Sequence, residues 1–195
     1  MKQAALFLFL IASPLVAQVP GELAREGLLI TIDVSTNQLF VFRDGELVRQ
    51  TIVATGSDKI LRSGDRVWWF RTPRGLHTVV DRVADPIWNK PDWAFVEEGK
   101  RIPPRDSPQR LVRGKLGKYA LDLGGGVLLH GTDDPKSIGR KASHGCIRLH
   151  DDDIAFLWRE AAIGTPVYIF ASQSDPAFAN STGLNDLDMR PVTVP

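Results

Sequence analysis

The sequence has 195 residues, of which 43% are hydrophobic and 24% are charged. This composition is that of one ordinary globular domain, and the length is too short for two domains of usual size. Its 24 lysine and arginine residues nearly balance 23 aspartate and glutamate residues, so the net charge gives no reason to expect nucleic acid or an anionic membrane as a partner. We therefore expect the function to depend on a local site.

The first residues have the order of an export signal. Lys2 precedes an apolar run over residues 4–12, a proline then interrupts the chain, and the small residue Ala17 offers a cleavage position. The run is well short of the ~20 residues that span a bilayer, so we expect no membrane anchor. The pattern predicts a signal peptide over residues 1–17, a linker over residues 18–27 and an exported protein of the periplasm or cell wall. A buried N-terminal helix or strand is the alternative.

Strand patterns follow the linker. Residues 28–34 are rich in β-branched side chains, and two further strand-like runs flank Asp44-Gly45, a pair that favours a tight hairpin turn. Residues 68–70 and 76–83 predict two more strands, separated by the turn-forming sequence Thr72-Pro73-Arg74-Gly75. The first half of the chain is therefore predicted to be β-structure.

Residues 84–113 contain five prolines and many charges, with no sustained period. We therefore expect a long surface loop or lid, called the lid segment below. Trp88 and Trp93 lie in it, and they fit two roles equally well. They either stack on a substrate or cover the edge of the core.

The last third of the chain predicts three elements and a tail. Three glycines precede the apolar run 127–129, which indicates a buried strand that ends at His130. Aspartates 151–153 offer capping carboxylates for a short amphipathic helix that ends near Gly164. A buried final strand over residues 166–171 follows, and then a polar tail over residues 172–195. The predicted fold is mostly β, with one helix packed beside the strands.

Cys146 is the only cysteine of the sequence, so no intramolecular disulfide is expected. It is either a buried residue that packs as a small hydrophobic group or a reactive thiol. A nucleophile needs the thiolate, and an ordinary thiol pKa of ~8.5 requires a neighbouring base that lowers it. His130 and His144 are both candidates for that base, and their spacing does not decide between them.

Two further residues beside the cysteine suggest binding roles. Gly145 lets a substrate carbonyl approach the main chain, so the N–H groups of Gly145 and Cys146 are expected to form an oxyanion hole. Arg148 is expected either to hold a carboxylate in the same cleft or to form a surface ion pair with aspartates 151–153.

The remaining metal-ligand residues predict no metal site. His77 and His150 fit ordinary polar positions. One cysteine and no HExxH spacing argue against zinc, although His130, His144 and Cys146 could in principle ligate a metal. We expect no metal and no cofactor.

Three short motifs carry a resemblance to a known family. They are His130-Gly131-Thr132, Ser137-Ile138-Gly139 and Ser143-His144-Gly145-Cys146-Ile147-Arg148-Leu149. In this order they resemble the L,D-transpeptidase catalytic domain, also called the YkuD domain. Weaker similarity extends through Thr72-Pro73-Arg74-Gly75, Pro86-x-Trp88-x-x-Pro91 and Gly164-Thr165-Pro166-Val167, so the resemblance covers roughly residues 28–171.

The resemblance implies a fold and assigns the site. The fold would be a β-sandwich or barrel-like domain with one short helix. Cys146 would be the nucleophile and His130 its general base, while His144 would orient neighbours or lie on the oxyanion side with Gly145. We expect substrate contacts from Arg148, Ser143, Gly131 and Trp88. The family's usual Asn-Pro-Leu-Gly is absent, and residues 112–124 stand in its place, so the acceptor side of the cleft is expected to be unusual.

The resemblance also implies the reaction. The donor would be a peptidoglycan tetrapeptide stem, which Cys146 would attack at the third residue to release D-alanine and leave a thioester. An amine from another stem, a lysine of an envelope protein, a free D-amino acid or water would then accept the acyl group. The alternatives are an exported L,D-carboxypeptidase or other cysteine peptidase of the cell wall, and a non-catalytic wall-binding domain.

Overall fold

The structure is a computed structural model that describes residues 26–172. The predicted signal peptide, nearly all of the predicted linker and all but the first residue of the predicted tail lie outside the described residues. Within residues 26–172, no helix is long and apolar enough to cross a bilayer.

Most of the regular structure is β-strand. The strands are, in chain order, β1 (Leu28–Asp33), β2 (Gln38–Arg43), β3 (Glu46–Ile52), β4 (Thr55–Gly56), β5 (Ile60–Ser63), β6 (Arg66–Trp69), β7 (Gly75–Thr78), β8 (Asp81–Ala84), β9 (Ile87–Asn89), β10 (Leu111–Arg113), β11 (Tyr119–Asp122), β12 (Leu128–His130), β13 (Lys141–Ser143), β14 (Ile147–Arg148) and β15 (Pro166–Phe170). The α-helices are α1 (Asp92–Glu97) and α2 (Asp151–Glu160), and 3-10 turns lie at Pro108–Arg110 and Pro135–Ser137.

A five-stranded sheet has the order β3-β2-β1-β15-β7. Its central strand β1 pairs antiparallel with β2 and parallel with β15. The predicted hairpin between β2 and β3 is confirmed, with Asp44 and Gly45 both at positive φ (51° and 82°), as a tight turn between twisted strands requires.

A four-stranded sheet has the order β14-β12-β11-β8 and carries the motif residues. One apolar cluster joins side chains of both sheets with the inner face of α2. Ile30, Leu121, Leu129, Ile147 and Leu157 are among its fully buried members. Burying this surface on both sides fixes the register of β12 and β14, because a slip of one residue would turn their apolar side chains outward.

The predicted strand over residues 76–83 is in fact two strands in two sheets. Val79 donates its N–H to Thr165, next to the five-stranded sheet, whereas Val80 donates to Asp122 of the four-stranded sheet. Consecutive N–H groups point in opposite directions along an extended chain. Val79 and Val80 therefore form the connection between β7 in one sheet and β8 in the other.

The lid segment contains more regular structure than its sequence indicates. It contains α1 and a two-stranded sheet of β9 and β10. Helix α1 is therefore a second helix, besides the predicted helix α2. Arg110, only 6% exposed, organises it by donating to the carbonyls of Lys90, Pro103 and Pro104 and to the Asp92 carboxylate. Long-range side-chain hydrogen bonds of this kind leave no periodic pattern in a sequence.

The three aspartates at the start of α2 do not cap it. His150 is the N-cap residue and provides no side-chain cap, while Asp151, Asp152 and Asp153 occupy the first turn, where the helix dipole favours negative charge. Asp153 is buried and accepts hydrogen bonds from Arg49 and Thr51 of β3. The carboxylate therefore joins α2 to the five-stranded sheet.

Candidate active site

A cavity of about 660 Å³ is lined by Cys146, His130 and His144. This volume is in the range of small-ligand sites. The lid segment forms one wall through Ile87, Trp88, Asn89, Pro91, Trp93, Ala94, Glu97 and Glu98, and the four-stranded sheet with its loops provides the others.

Parallel pairing of β12 with β14 brings the two motif residues to the same place. The register sets Leu129 against Ile147 and His130 against Arg148, so Cys146 lies immediately before the paired segment. The Cys146 Sγ lies 3.5 Å from the Gly126 carbonyl oxygen, which accepts the thiol proton. The glycine-rich turn before β12 therefore contacts the sulfur as well as leading into the strand that carries His130.

The His130 ring has a defined tautomer. Its Nδ1 lies 2.5 Å from the Gly131 carbonyl oxygen, and because a carbonyl only accepts, Nδ1 carries the hydrogen. The lone pair is then on Nε2, the atom that a general base uses. Burial lowers the pKa of His130 to about 4, and the positive charge of Arg148 also lowers it. The hydrogen bond to the Gly131 carbonyl opposes these effects and raises the pKa. His130 is therefore neutral at neutral pH.

The half-buried Cys146 thiol is also neutral at rest. Burial raises its pKa, and this effect exceeds the lowering by the Leu128 N–H and by the Arg148 charge. The expectation that a neighbouring base lowers the thiol pKa is wrong for this structure. The resting pair is a thiol and a neutral imidazole.

Two buried hydroxyl groups fix the nucleophile loop, residues 143–146. Ser143 Oγ donates to the Cys146 carbonyl at 2.5 Å and accepts the Gly145 N–H at 3.1 Å. Thr72 Oγ1 donates to the Gly145 carbonyl at 2.9 Å and accepts the Gly56 N–H at 2.8 Å. Thr72 belongs to the Thr-Pro turn of the sequence motif, which was the available signal for a role at the site.

Gly145 has a different role from the one predicted. Because its N–H is taken by Ser143, it is not a free oxyanion donor, and the predicted pair of donors is reduced to the Cys146 N–H. A Cβ at Gly145 would lie 3.1 Å from the Arg71 carbonyl oxygen, and the residue has φ of +127°. Glycine is required here by backbone conformation and by packing against the Thr-Pro turn.

His144 points toward the lid segment. Its Nε2 lies 2.8 Å from Glu97 Oε2, its ring stacks on Trp93 with centroids 4.0 Å apart, and its edge meets Phe70 at 4.4 Å. Burial lowers the pKa of His144, and the Glu97 carboxylate opposes this. Glu97 was not among the predicted site residues, and nothing in its local sequence distinguishes it from a surface glutamate.

The predicted substrate-binding residues divide into two groups. Arg148, Ser143 and Trp88 line the cavity, whereas Gly131 does not. The Gly131 carbonyl accepts the hydrogen bond from His130 Nδ1. Gly131 also packs closely on Gly117, because a Cβ added to Gly117 would lie only 2.7 Å from the Gly131 Cα.

Arg148 forms no ion pair with aspartates 151–153 or with any other acidic residue of the described segment. Its guanidinium remains near the cavity, where its charge acts on His130, His144 and Cys146. The carboxylate-binding alternative is therefore the one this geometry favours.

The other two histidines lie away from the cavity lining. His77 lies on β7, where its Nε2 is buried without a described partner, and His150 precedes α2. Among residues 26–172, no group of three or more His, Cys, Asp or Glu side chains is arranged to hold a metal ion.

Comparison with known proteins gives a consistent result. The family described as the L,D-transpeptidase catalytic domain, YkuD, matches residues 28–169. The probable L,D-transpeptidase ErfK/SrfK of Salmonella typhimurium is 31% identical over 154 residues, which are 74% of this chain and 44% of that relative. The chain thus spans less than half the length of this curated relative.

Two solved structures show the same fold. The L,D-transpeptidase of Xylanimonas cellulosilytica (residues 123–326) superposes with a TM-score of 0.55 at 23% identity, over 74% of this chain and 61% of that one. The LD transpeptidase LdtMt1 in complex with imipenem gives a TM-score of 0.54 at 22% identity, over 74% and 59% of the two chains. The predicted mostly β fold is confirmed, and the chain belongs to the YkuD family of L,D-transpeptidase catalytic domains.

Proposed function

We propose that this protein is an exported cysteine L,D-transpeptidase that acts on the tetrapeptide stems of peptidoglycan. One observation carries the proposal: adjacent parallel strands bring Cys146 and His130 to one cavity, with the His130 Nε2 lone pair left available by the Nδ1 bond to Gly131. Membership of the family and the name of the Salmonella relative support the same reaction. The signal pattern of residues 1–17 supports export.

The first half-reaction would release D-alanine. The Cys146 sulfur attacks the carbonyl carbon of the third stem residue as its proton passes to His130 Nε2. The bond from that carbon to the D-alanine nitrogen then breaks, and the leaving amine takes the proton from Nε2. The stem remains on Cys146 as a thioester, and His130 is neutral again.

The neutral resting pair determines when the thiolate forms. Because burial raises the Cys146 pKa and lowers the His130 pKa, a free thiolate–imidazolium pair is unfavourable before substrate binds. Proton transfer therefore accompanies attack on the carbonyl. This arrangement also protects the single thiol from oxidation, which requires the thiolate.

The oxyanion would be held by the Cys146 N–H. No acceptor among residues 26–172 takes this N–H, and Ser143 and Thr72 fix the loop that presents it. Preorganised donors of this kind stabilise charge that develops in the transition state. The Arg148 guanidinium provides a nearby site for a carboxylate of the stem.

The second half-reaction would transfer the acyl group to an amine. The acceptor nitrogen attacks the thioester carbonyl and gives its proton to His130, and the thiol is re-formed with that proton. Amines of another stem, of an envelope protein or of a free D-amino acid share this chemistry. A 3-3 cross-link, protein attachment or amino acid exchange would result.

The proposal is tested with purified protein and tetrapeptide muropeptides, analysed by mass spectrometry. We expect released D-alanine and new 3-3 dimers, and with imipenem a covalent adduct on Cys146. The Cys146→Ala variant should give none of these, because the nucleophile is absent. Shortened stems without dimers would instead identify an L,D-carboxypeptidase, and unchanged stems with no adduct would reject a cysteine acyltransferase.

A further inference from the structure

The lid helix α1 contacts the nucleophile loop at the side chain of His144. Glu97 Oε2 lies 2.8 Å from His144 Nε2, and Trp93 stacks on the same ring at an interplanar angle of 14°. Both partners come from α1. Within residues 26–172, the hydrogen bond between Glu97 and His144 joins α1 to residues 143–146, whereas the bonds of Asp92 join α1 to Arg66 and Arg110.

Helix α1 depends on such contacts for its position. It has only six residues, and its N-cap residue Pro91 provides no side-chain cap. A helix of this length is unstable on its own in water, so its place over the cavity must come from tertiary contacts. Arg110 and Arg66 hold the first residue of α1, Asp92, so the contact with His144 acts on the opposite end of the helix. The nucleophile loop is held independently by Thr72 and Ser143.

From this geometry we infer that Glu97 is a positioning residue: through His144 it holds α1 against the nucleophile loop and so sets the lid wall of the cavity for acylation of Cys146. The inference rests on the proposed function for its meaning in catalysis. The structural part, which is the dependence of α1 on the Glu97–His144 contact, does not.

The electrostatics around His144 agree with this role. Burial lowers the pKa of His144, the Glu97 carboxylate raises it, and the positive charges of Arg148 and Lys115 lower it further. Glu97 is therefore the acidic group that supports a charge on this ring. Neighbouring Glu98 pairs instead with Lys90 and Lys100, so the two glutamates are not interchangeable.

A rival role for Glu97 is direct contact with substrate, since its side chain is 37% exposed and lines the cavity. A double-mutant cycle separates the two roles. If Glu97 acts through His144, then Glu97→Ala should slow the acylation of Cys146 by imipenem about tenfold, as expected for loss of one charge-assisted hydrogen bond. In a His144→Ala background the same change should have no further effect.

Two further variants serve as the conservative change and the control: Glu97→Gln and Glu160→Gln. Gln keeps the shape and can still accept from a neutral His144, so Glu97→Gln should lose less activity than Glu97→Ala while the His144 pKa, measured by NMR titration, falls. Glu160, the last residue of α2, forms a surface ion pair with Arg43 of β2. The Glu160→Gln variant should match the wild type in rate and in the His144 pKa. Hydrogen exchange in α1 should be faster in both Glu97→Ala and His144→Ala than in the wild type.

The outcomes separate this inference from the proposed function. Failure of the wild type to form an imipenem adduct counts against the function, while the NMR and hydrogen-exchange measurements still test Glu97. Equal slowing by Glu97→Ala in both backgrounds would overturn the inference, because Glu97 would then act on the ligand. Unchanged acylation together with unchanged exchange in α1 would overturn it as well.

Discussion

The nucleophile loop and the lid segment face each other across one cavity, but different interactions hold them. Neutral hydrogen bonds from Ser143 and Thr72 to backbone groups fix residues 143–146. Charged side chains fix the lid segment, where Asp92 pairs with both Arg110 and Arg66. The bonds from Ser143 and Thr72 join neutral groups, so they do not change with pH or salt. We call the side of the cavity formed by this loop and His130 the catalytic wall.

The charged contacts that hold the lid segment differ in burial and therefore in strength. Arg66 and Asp92 are 56% and 38% exposed, and an exposed pair of this kind contributes ~0–1 kcal/mol. Arg110 is buried and bonds to three carbonyls besides Asp92. The comparison predicts that the loop and the core of the lid are rigid, while the outer lid contacts are weak and salt-sensitive.

The largest expected effect tests the catalytic wall directly. In the proposed mechanism His130 accepts the thiol proton and returns it to the leaving amine, so acylation by imipenem should slow by ~10²–10⁴ in the His130→Ala variant. The His144→Ala variant should slow it less, because in the proposed mechanism that ring only positions neighbouring groups. Both rates are measured by intact-protein mass spectrometry, with circular dichroism to show that the variants fold. A larger loss for His144→Ala would move the base to His144.

His130 also makes the stability of the fold depend on pH. Burial lowers the pKa of His130 from 6.5 to about 4, so between these values the unfolded chain binds a proton that the folded site does not. The free energy of unfolding should therefore fall as the pH is lowered through this window, by at most about 3 kcal/mol, and should be unaffected by this group above it.

Urea unfolding of the wild type and of His130→Gln over this window isolates the effect, because other titrating groups contribute to both proteins. The variant should lose less stability on acidification. On the lid wall, hydrogen bonds from Lys100 and Lys90 lower the pKa of Glu98 to about 2, so those pairs persist through the window. Equal acid sensitivity of the two proteins would show that His130 is not held neutral by the fold.

The meeting of Cys146 and His130 at one cavity was predictable, because the residues that bring them together are close in sequence. Cys146 and His130 lie in dense motifs, and an apolar run ending in His130 predicts the strand that delivers it. The hairpin at Asp44-Gly45 was also predictable, because these residue types accept positive φ. Local chemistry was sufficient in each case.

The rest depended on contacts between distant parts of the chain. Glu97 and His144 are 47 residues apart, and Arg110 satisfies carbonyls that no periodic pattern marks. The Gly145 N–H was predicted to be free because the sequence does not show that Ser143 Oγ turns back to accept it. The thiol pKa was predicted with the wrong sign because burial, a property of the whole fold, exceeds the local charges.

The smallest expected effects come from removing one contact that supports each wall: the hydrogen bonds of Thr72 and the ion pair of Arg66. Thr72 is 3% exposed, and Thr72→Val keeps its shape but leaves the Gly56 N–H and the Gly145 carbonyl buried without partners. This should cost about 2 kcal/mol of unfolding free energy and slow acylation. Thr78→Val, on the exposed surface of β7, is the matched control and should change little.

Arg66→Ala should cost less than about 1 kcal/mol, because its pair with Asp92 is exposed, and this cost should disappear in about 1 M salt, where charges are screened within ~3 Å. The cost of Thr72→Val should remain, because the unpaired groups it leaves are neutral and buried. Urea unfolding of both variants at low and high salt measures the contrast. If salt removed the Thr72→Val cost, or if Arg66→Ala cost as much as Thr72→Val at high salt, then the two walls would be held by the same kind of interaction.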